Sequence, residues 1–162
     1  MNKLELLAPY LPYGLRVQFD GCTHRLIGIN SVESDPWITL HRTEDSYRRI
    51  GTPDDATPCF RPFSQIDKPT PLNGRMIVPA VEIAKLAVGD DDWRVTFKNK
   101  YVVGITSGQQ RMHFDCNWNI EVSDTDKKFA LNTYKIFQLL HRLHFAPPGL
   151  DESEYIAIRE GV

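Results

Sequence analysis

Apolar and polar residues alternate along "LRVQF". Leu15, Val17 and Phe19 fall on one side, and Arg16, Gln18 and Asp20 fall on the other. A period of two over this length predicts a half-buried strand. Asp20-Gly21 then predicts a hairpin turn, with "CTHRLIGI" as the returning strand. The polar loop "NSVESDP" leads to a third strand, "WITLH". Three strands in meander order predict a small antiparallel sheet of the SH3-like kind. Upstream, Asn2 and Glu5 have the spacing of a capping box for a short helix over Lys3–Ala8. Pro9 is expected to end it, because the residue before proline avoids helical angles. "PYLPYG" then reads as a hinge, with Tyr10 and Tyr13 packing on the sheet, rather than as an exposed proline-rich ligand.

Beyond Arg42 the pattern weakens into a proline-rich connection, 46–71, in which "YRRI" or "CFRPF" is expected to add an edge strand. "RMIVPAVEIAKLAVG" predicts a strand, Arg75 to Val78, and then a helix with Pro79 in its first turn and Gly89 past its end. Residues 93–122 predict three or four strands, turning at Lys98-Asn99-Lys100 and Ser107-Gly108. Ser123 to Phe145 carries the clearest helical period, with Phe129, Ile136, Leu140 and Leu143 on one stripe and Asp126 completing the cap at Ser123. Pro147-Pro148-Gly149 stops it, and "EYIAI" predicts a terminal strand. The expected fold is α+β: antiparallel sheets, an N-terminal meander, and one long C-terminal helix packed on the sheet of 93–122. One domain, 1–162, is expected, subdivided into a meander (1–45), a connection (46–71) and an α+β core (72–162).

The chain has 162 residues, enough to bury about 70% of its unfolded surface without a disulfide or metal. Cys22, Cys59 and Cys116 form an odd, scattered set, which fits free thiols in a reducing compartment. No apolar run approaches the ~20 residues of a membrane span, and the N-terminus lacks the layout of a secretory signal. A cytoplasmic location without a membrane partner is therefore expected. Net charge is −2, from nineteen basic and twenty-one acidic residues, so no general electrostatic footprint for nucleic acid appears.

Candidate chemistry fails on spacing or face. Cys22-x-His24 places two zinc-type ligands on one strand face, but His113-x-x-Cys116 points its pair to opposite faces. His141 and His144 are neighbours on a helix but have no carboxylate in the same motif. The acidic run Asp90, Asp91 and Asp92 reads as a polar turn, and Asp126-Lys127-Lys128 sits at a helix cap rather than on the strand a nuclease motif needs. Pro58-Cys59 half mimics a deaminase motif, but Pro62 stands where its second cysteine belongs. No catalytic, cofactor or metal residue is assigned. In "WRVTFKNKYVV", alternation places Trp93, Val95 and Phe97 on the core side and Arg94, Thr96 and Lys98 outside. Arg48, Arg49, Arg94, Lys98 and Lys100 remain as a speculative nucleic-acid stripe.

Four stretches, "LAPYLPYGLRVQF", "RPFSQI", "NGRMIVPAVEIAKLA" and "FQLLHRLHFAPPGLDE", resemble in the same order a family of small proteins carried by phages, prophages and mobile elements of gut bacteria. Here "HFAPPGL" departs from the family's usual histidine-phenylalanine-aspartate ending. The resemblance implies an accessory gene product acting in bacterial cytoplasm. It implies no mechanism, and no functional residue carries over. The first expectation for function is a non-catalytic module that binds a protein partner. The alternatives are a β module contacting nucleic acid in phage replication or packaging, and an enzyme of unrecognised type. A homodimer formed through the helix stripe is the competing expectation to its burial in the core.

Overall fold

Asn2 caps the first helix, α1 (Lys3–Leu7), through its side chain, while Glu5 reaches back to the cap nitrogen. The computed structural model describes residues 2–31, 35–42, 47–89, 92–123 and 132–158. The α-helix ends before Pro9 as expected, although Ala8 keeps helical angles rather than turning extended. The chain tightens into a 3₁₀ helix over Ala8–Tyr13, with Pro9 in its first turn, where the missing N–H costs little, and Pro12 inside it, and stops at Gly14 with φ 63°. The hinge is structural: Tyr10 is buried, with its ring centroid 4.8 Å from that of Phe60.

By contact the residues gather into two compact units, 1–61 with 150–162, and 62–149. In the first unit lie β1 (Arg16–Phe19), β2 (Cys22–Asn30), β3 (Trp37–His41), β4 (Arg48–Gly51) and β5 (Thr57–Phe60). Asp20 and Gly21 both take positive φ, the primed turn that a right-twisted hairpin needs. The meander β1-β2-β3, expected as an SH3-like unit, lies within a wider six-stranded sheet. Its order is β12-β5-β1-β2-β3-β4, where β12 (Ile156–Ala157) pairs parallel with β5. The "RRI" segment supplies an edge strand, while "PCF" enters the interior of the sheet. Leu7, Leu15, Val17, Leu26, Ile38, Leu40 and Phe60 fill this unit's core.

In the second unit β6 (Thr70–Leu72) and β7 (Arg75–Ile77) form a hairpin, and α2 (Pro79–Ala87) follows with proline in its first turn. Strands β8 (Arg94–Lys98), β9 (Val102–Ser107), β10 (Gln110–Asp115) and β11 (Ile120–Ser123) form an antiparallel sheet in the order β11-β10-β9-β8. The long helix expected over 123–145 is instead α3 (Thr133–Arg142), capped by Asn132. His144 takes φ 58°, which breaks the helical path, and the Phe145 N–H closes on the Leu140 carbonyl. His141 and His144 therefore do not share a helical face. The expected cap at Asp126, the acidic run at Asp90 and Asp91, and Phe129 lie outside the described residues. Ile136, Leu140 and Leu143 do enter the core with Val103, Ile105, Met112 and Phe114.

His141 packs its ring 5.5 Å from Trp118, and burial lowers its pKa below the ordinary value. The unfolded chain therefore takes up the proton first, so stability falls as pH drops below about 6.5 and levels off below the folded pKa. Thermal midpoints between pH 8 and 5 should decline less in His141→Phe than in the parent. Superimposable profiles would remove His141 from the cause.

Candidate nucleic-acid interface

The five cations expected to form a stripe are divided between the units. Arg48 and Arg49 lie on β4, Arg94 and Lys98 on β8, and Lys100 in the following turn. Three are already paired. Arg49 meets Asp20 at 2.7 Å, Arg94 meets Asp92 at 2.7 Å, and Lys98 meets Asp67 at 2.5 Å while donating to the Ser64 carbonyl. Lys100 stands 5.6 Å from the ring centre of Tyr101. The face assignment along β8 needs correction. Pairing slips between Val95 and Phe97, and this bulge turns Phe97 outward, 53% exposed, opposite Gly104. A side chain at Gly104 would press on the Phe97 Cβ at 3.2 Å, so glycine gives the ring its seat.

On that outer face an open cleft of about 400 Å³ is lined by Phe97, Asn99, Val102, His113, Asp115 and Asn119, among others. Several of its polar groups serve the local turns. Asp115 accepts from the backbone N–H groups of Asn117 and Asn119, and Asn99 Oδ1 accepts from those of Tyr101 and Val102. Cys22 and His24 belong to the first unit, and His113 and Cys116 to the second. Among the described residues no group of three or more histidines, cysteines or acids is placed to hold a metal. His24 is buried and its Nδ1 lies 3.1 Å from the Cys22 carbonyl.

A different set of cations converges on the first unit's sheet. Register pairs Arg16 with Arg25, Arg25 with His41, and His41 with Arg48, one residue from each of four adjacent strands. Period-two alternation sends Val17, Leu26 and Leu40 into the core, so these four stand on the opposite, outward face. At about 4.8 Å per strand the row spans roughly 14 Å. Arg16, Arg25 and Arg48 are exposed and His41 is half-buried. Among the described residues none of the four makes an ion pair. At the Arg16 end the row continues toward Arg61, whose pKa is lowered by burial first and then by the charge of Arg16. The Cys59 thiol is pushed up by burial, with Arg16 pulling the other way.

Like charges directly opposite one another on a sheet destabilise it, so this row does nothing for folding by itself. The Arg25 guanidinium lies against Gly14. Gly14 has positive φ, and any side chain there would collide with the Arg25 guanidinium. A row of guanidiniums with free donor forks is suited to phosphate oxygens, which they can bind in bidentate fashion. Sequence reasoning found Arg48 but missed Arg16, Arg25 and His41. The two-residue turn at Asp20-Gly21 already fixes Arg16 opposite Arg25, so half of the row was readable. Compared with family models, with curated proteins and with solved structures, the chain matches none.

Proposed function

We propose that this chain is a non-catalytic accessory protein of phage or prophage type, acting in bacterial cytoplasm, whose β1–β4 face contacts nucleic acid. The observation that carries the reading is the cross-strand row Arg16–Arg25–His41–Arg48, outward-facing and without ion-pair partners among the described residues. Phosphate oxygens supply the missing counter-charge, and release of condensed counterions drives the contact. The setting comes from the resemblance of the four stretches to proteins of phages and mobile elements. Among the described residues no helix is long and apolar enough to cross a membrane.

Fluorescence anisotropy with labelled DNA and RNA at low salt tests this. Binding should be detectable, and Arg25→Gln should weaken it about tenfold, the loss of a charge-assisted contact of roughly 1.5 kcal/mol. Undetectable binding to every oligonucleotide at low salt contradicts the reading.

One observation favours a second reading, a protein partner. Strand β4 is a free edge of the sheet, and Ile50 on it is 70% exposed. Among the described residues no strand pairs with its outer side, so its backbone offers a template for an added strand, either from another protein or from a second copy of this chain. Partner binding at the edge would survive Arg16→Gln, which weakens the phosphate contact, and fail with proline at Ile50.

A further inference from the structure

The row of cations is flanked on the same sheet face by a row of uncharged residues that includes two exposed isoleucines. Register places Gly28 opposite Thr39 and Thr39 opposite Ile50, one outward step from Arg25, His41 and Arg48 respectively. The pairing of β2 with β3 slips between Leu26 and Gly28, and the extra residue at this bulge, Ile27, is 40% exposed. Ile50 is 70% exposed. Thr39 leans over Gly28, where an added Cβ would meet its side chain at 3.2 Å, so the row stays low between the two isoleucines. Two residues along a strand separate the rows by about 6.8 Å.

A charged line with a parallel uncharged, partly apolar line beside it matches a particular polymer. A single-stranded nucleic acid carries phosphates along one side and free base faces along the other. A duplex stacks its bases inward and offers the protein mainly phosphates and groove edges. Both need the arginines, but only an unpaired strand can cover Ile27 and Ile50 with base faces while its phosphates follow the row. We infer that the β1–β4 face binds single-stranded nucleic acid, running across the strands with its bases laid on Ile27, Thr39 and Ile50. This inference rests on the nucleic-acid reading of the cationic row.

The test compares a single-stranded DNA of about 12 nucleotides, within the usual site size for such modules, with a duplex of the same sequence. Anisotropy at fixed low salt measures both against the parent chain, Ile50→Ala and Arg25→Gln. Ile50 is solvent-facing, so its variant keeps the fold, which circular dichroism verifies. The single strand should bind tighter than the duplex. Ile50→Ala should weaken single-strand binding about fivefold, the area lost from one partly covered isoleucine, and leave duplex binding unchanged. Arg25→Gln should weaken both. Equal affinity for the two forms, or indifference to Ile50→Ala, overturns the inference and leaves phosphate binding standing. If neither form binds, the inference and the reading beneath it fall together.

Discussion

Truncating Phe60 to alanine is expected to cost about 3–5 kcal/mol, the usual loss for a buried aromatic. Phe60 has no exposed surface, and its ring packs 4.8 Å from Tyr10 and 5.8 Å from Tyr155. Those neighbours arrive from distant parts of the chain, one in the proline-tyrosine 3₁₀ helix and the other just before β12. The Phe60 carbonyl also accepts from the Ile158 N–H, so the ring and the backbone anchor the same returning segment. Removing the ring leaves a cavity where three segments meet, beside a β12 only two residues long. A domain stable by about 5–15 kcal/mol would lose much of its margin. Urea unfolding of Phe60→Ala beside Phe60→Leu grades the loss with the volume removed, and the leucine variant should lose clearly less than the alanine variant. A loss below about 1 kcal/mol for alanine would mean that the ring is not in the core.

The second large effect lies in the other unit. Leu140→Ala should cost about 2–5 kcal/mol, because the side chain is fully buried in the cluster shared by α3, α2 and the sheet. Tyr134, on the same helix and 70% exposed, provides the internal control: Tyr134→Ser should stay within about 0.5 kcal/mol. The competing picture makes the α3 stripe a two-fold interface. It requires Leu140→Ala to leave the melting temperature unchanged while converting a dimer to a monomer. Calorimetry together with light scattering distinguishes the two in one preparation.

How far the sequence could be read depended on the range of the interaction that decides each feature. Features set within a few residues were legible: the capping box of Asn2 and Glu5, the turn at Asp20-Gly21, proline at the start of α2, and the alternation of β1. Those set by long-range pairing were not. The bulge at Phe97 arises from the fit of β8 to β9, and periodicity alone placed that ring in the core. Pro9 does mark the end of the α-helix, but the 3₁₀ turn that follows it, with Tyr10 buried against Phe60, was not legible. The ends of α3 were misplaced: Ser123, read as its cap, closes β11 while Asn132 caps the helix, and Leu143 continues the apolar stripe although it is the C-cap and His144 turns the backbone left-handed. The cationic row needed three registers at once. The turn supplies one of them, the bulge at Ile27 alters the second, and the third spans the β3–β4 connection.

The central claim is that Arg16, Arg25 and Arg48, which make no ion pair among the described residues, meet phosphates. The salt dependence of binding tests it most directly. The logarithm of the binding constant for a single-stranded oligonucleotide, plotted against the logarithm of salt concentration, should fall with a slope of about −2 for three arginine–phosphate contacts. Replacing Arg16, Arg25 and Arg48 together by glutamine should bring that slope close to zero, whereas replacing the ion-paired Arg94 and Lys98 should leave it intact. An unchanged slope in the triple variant, or loss of the slope in the Arg94 and Lys98 variant, would contradict the account.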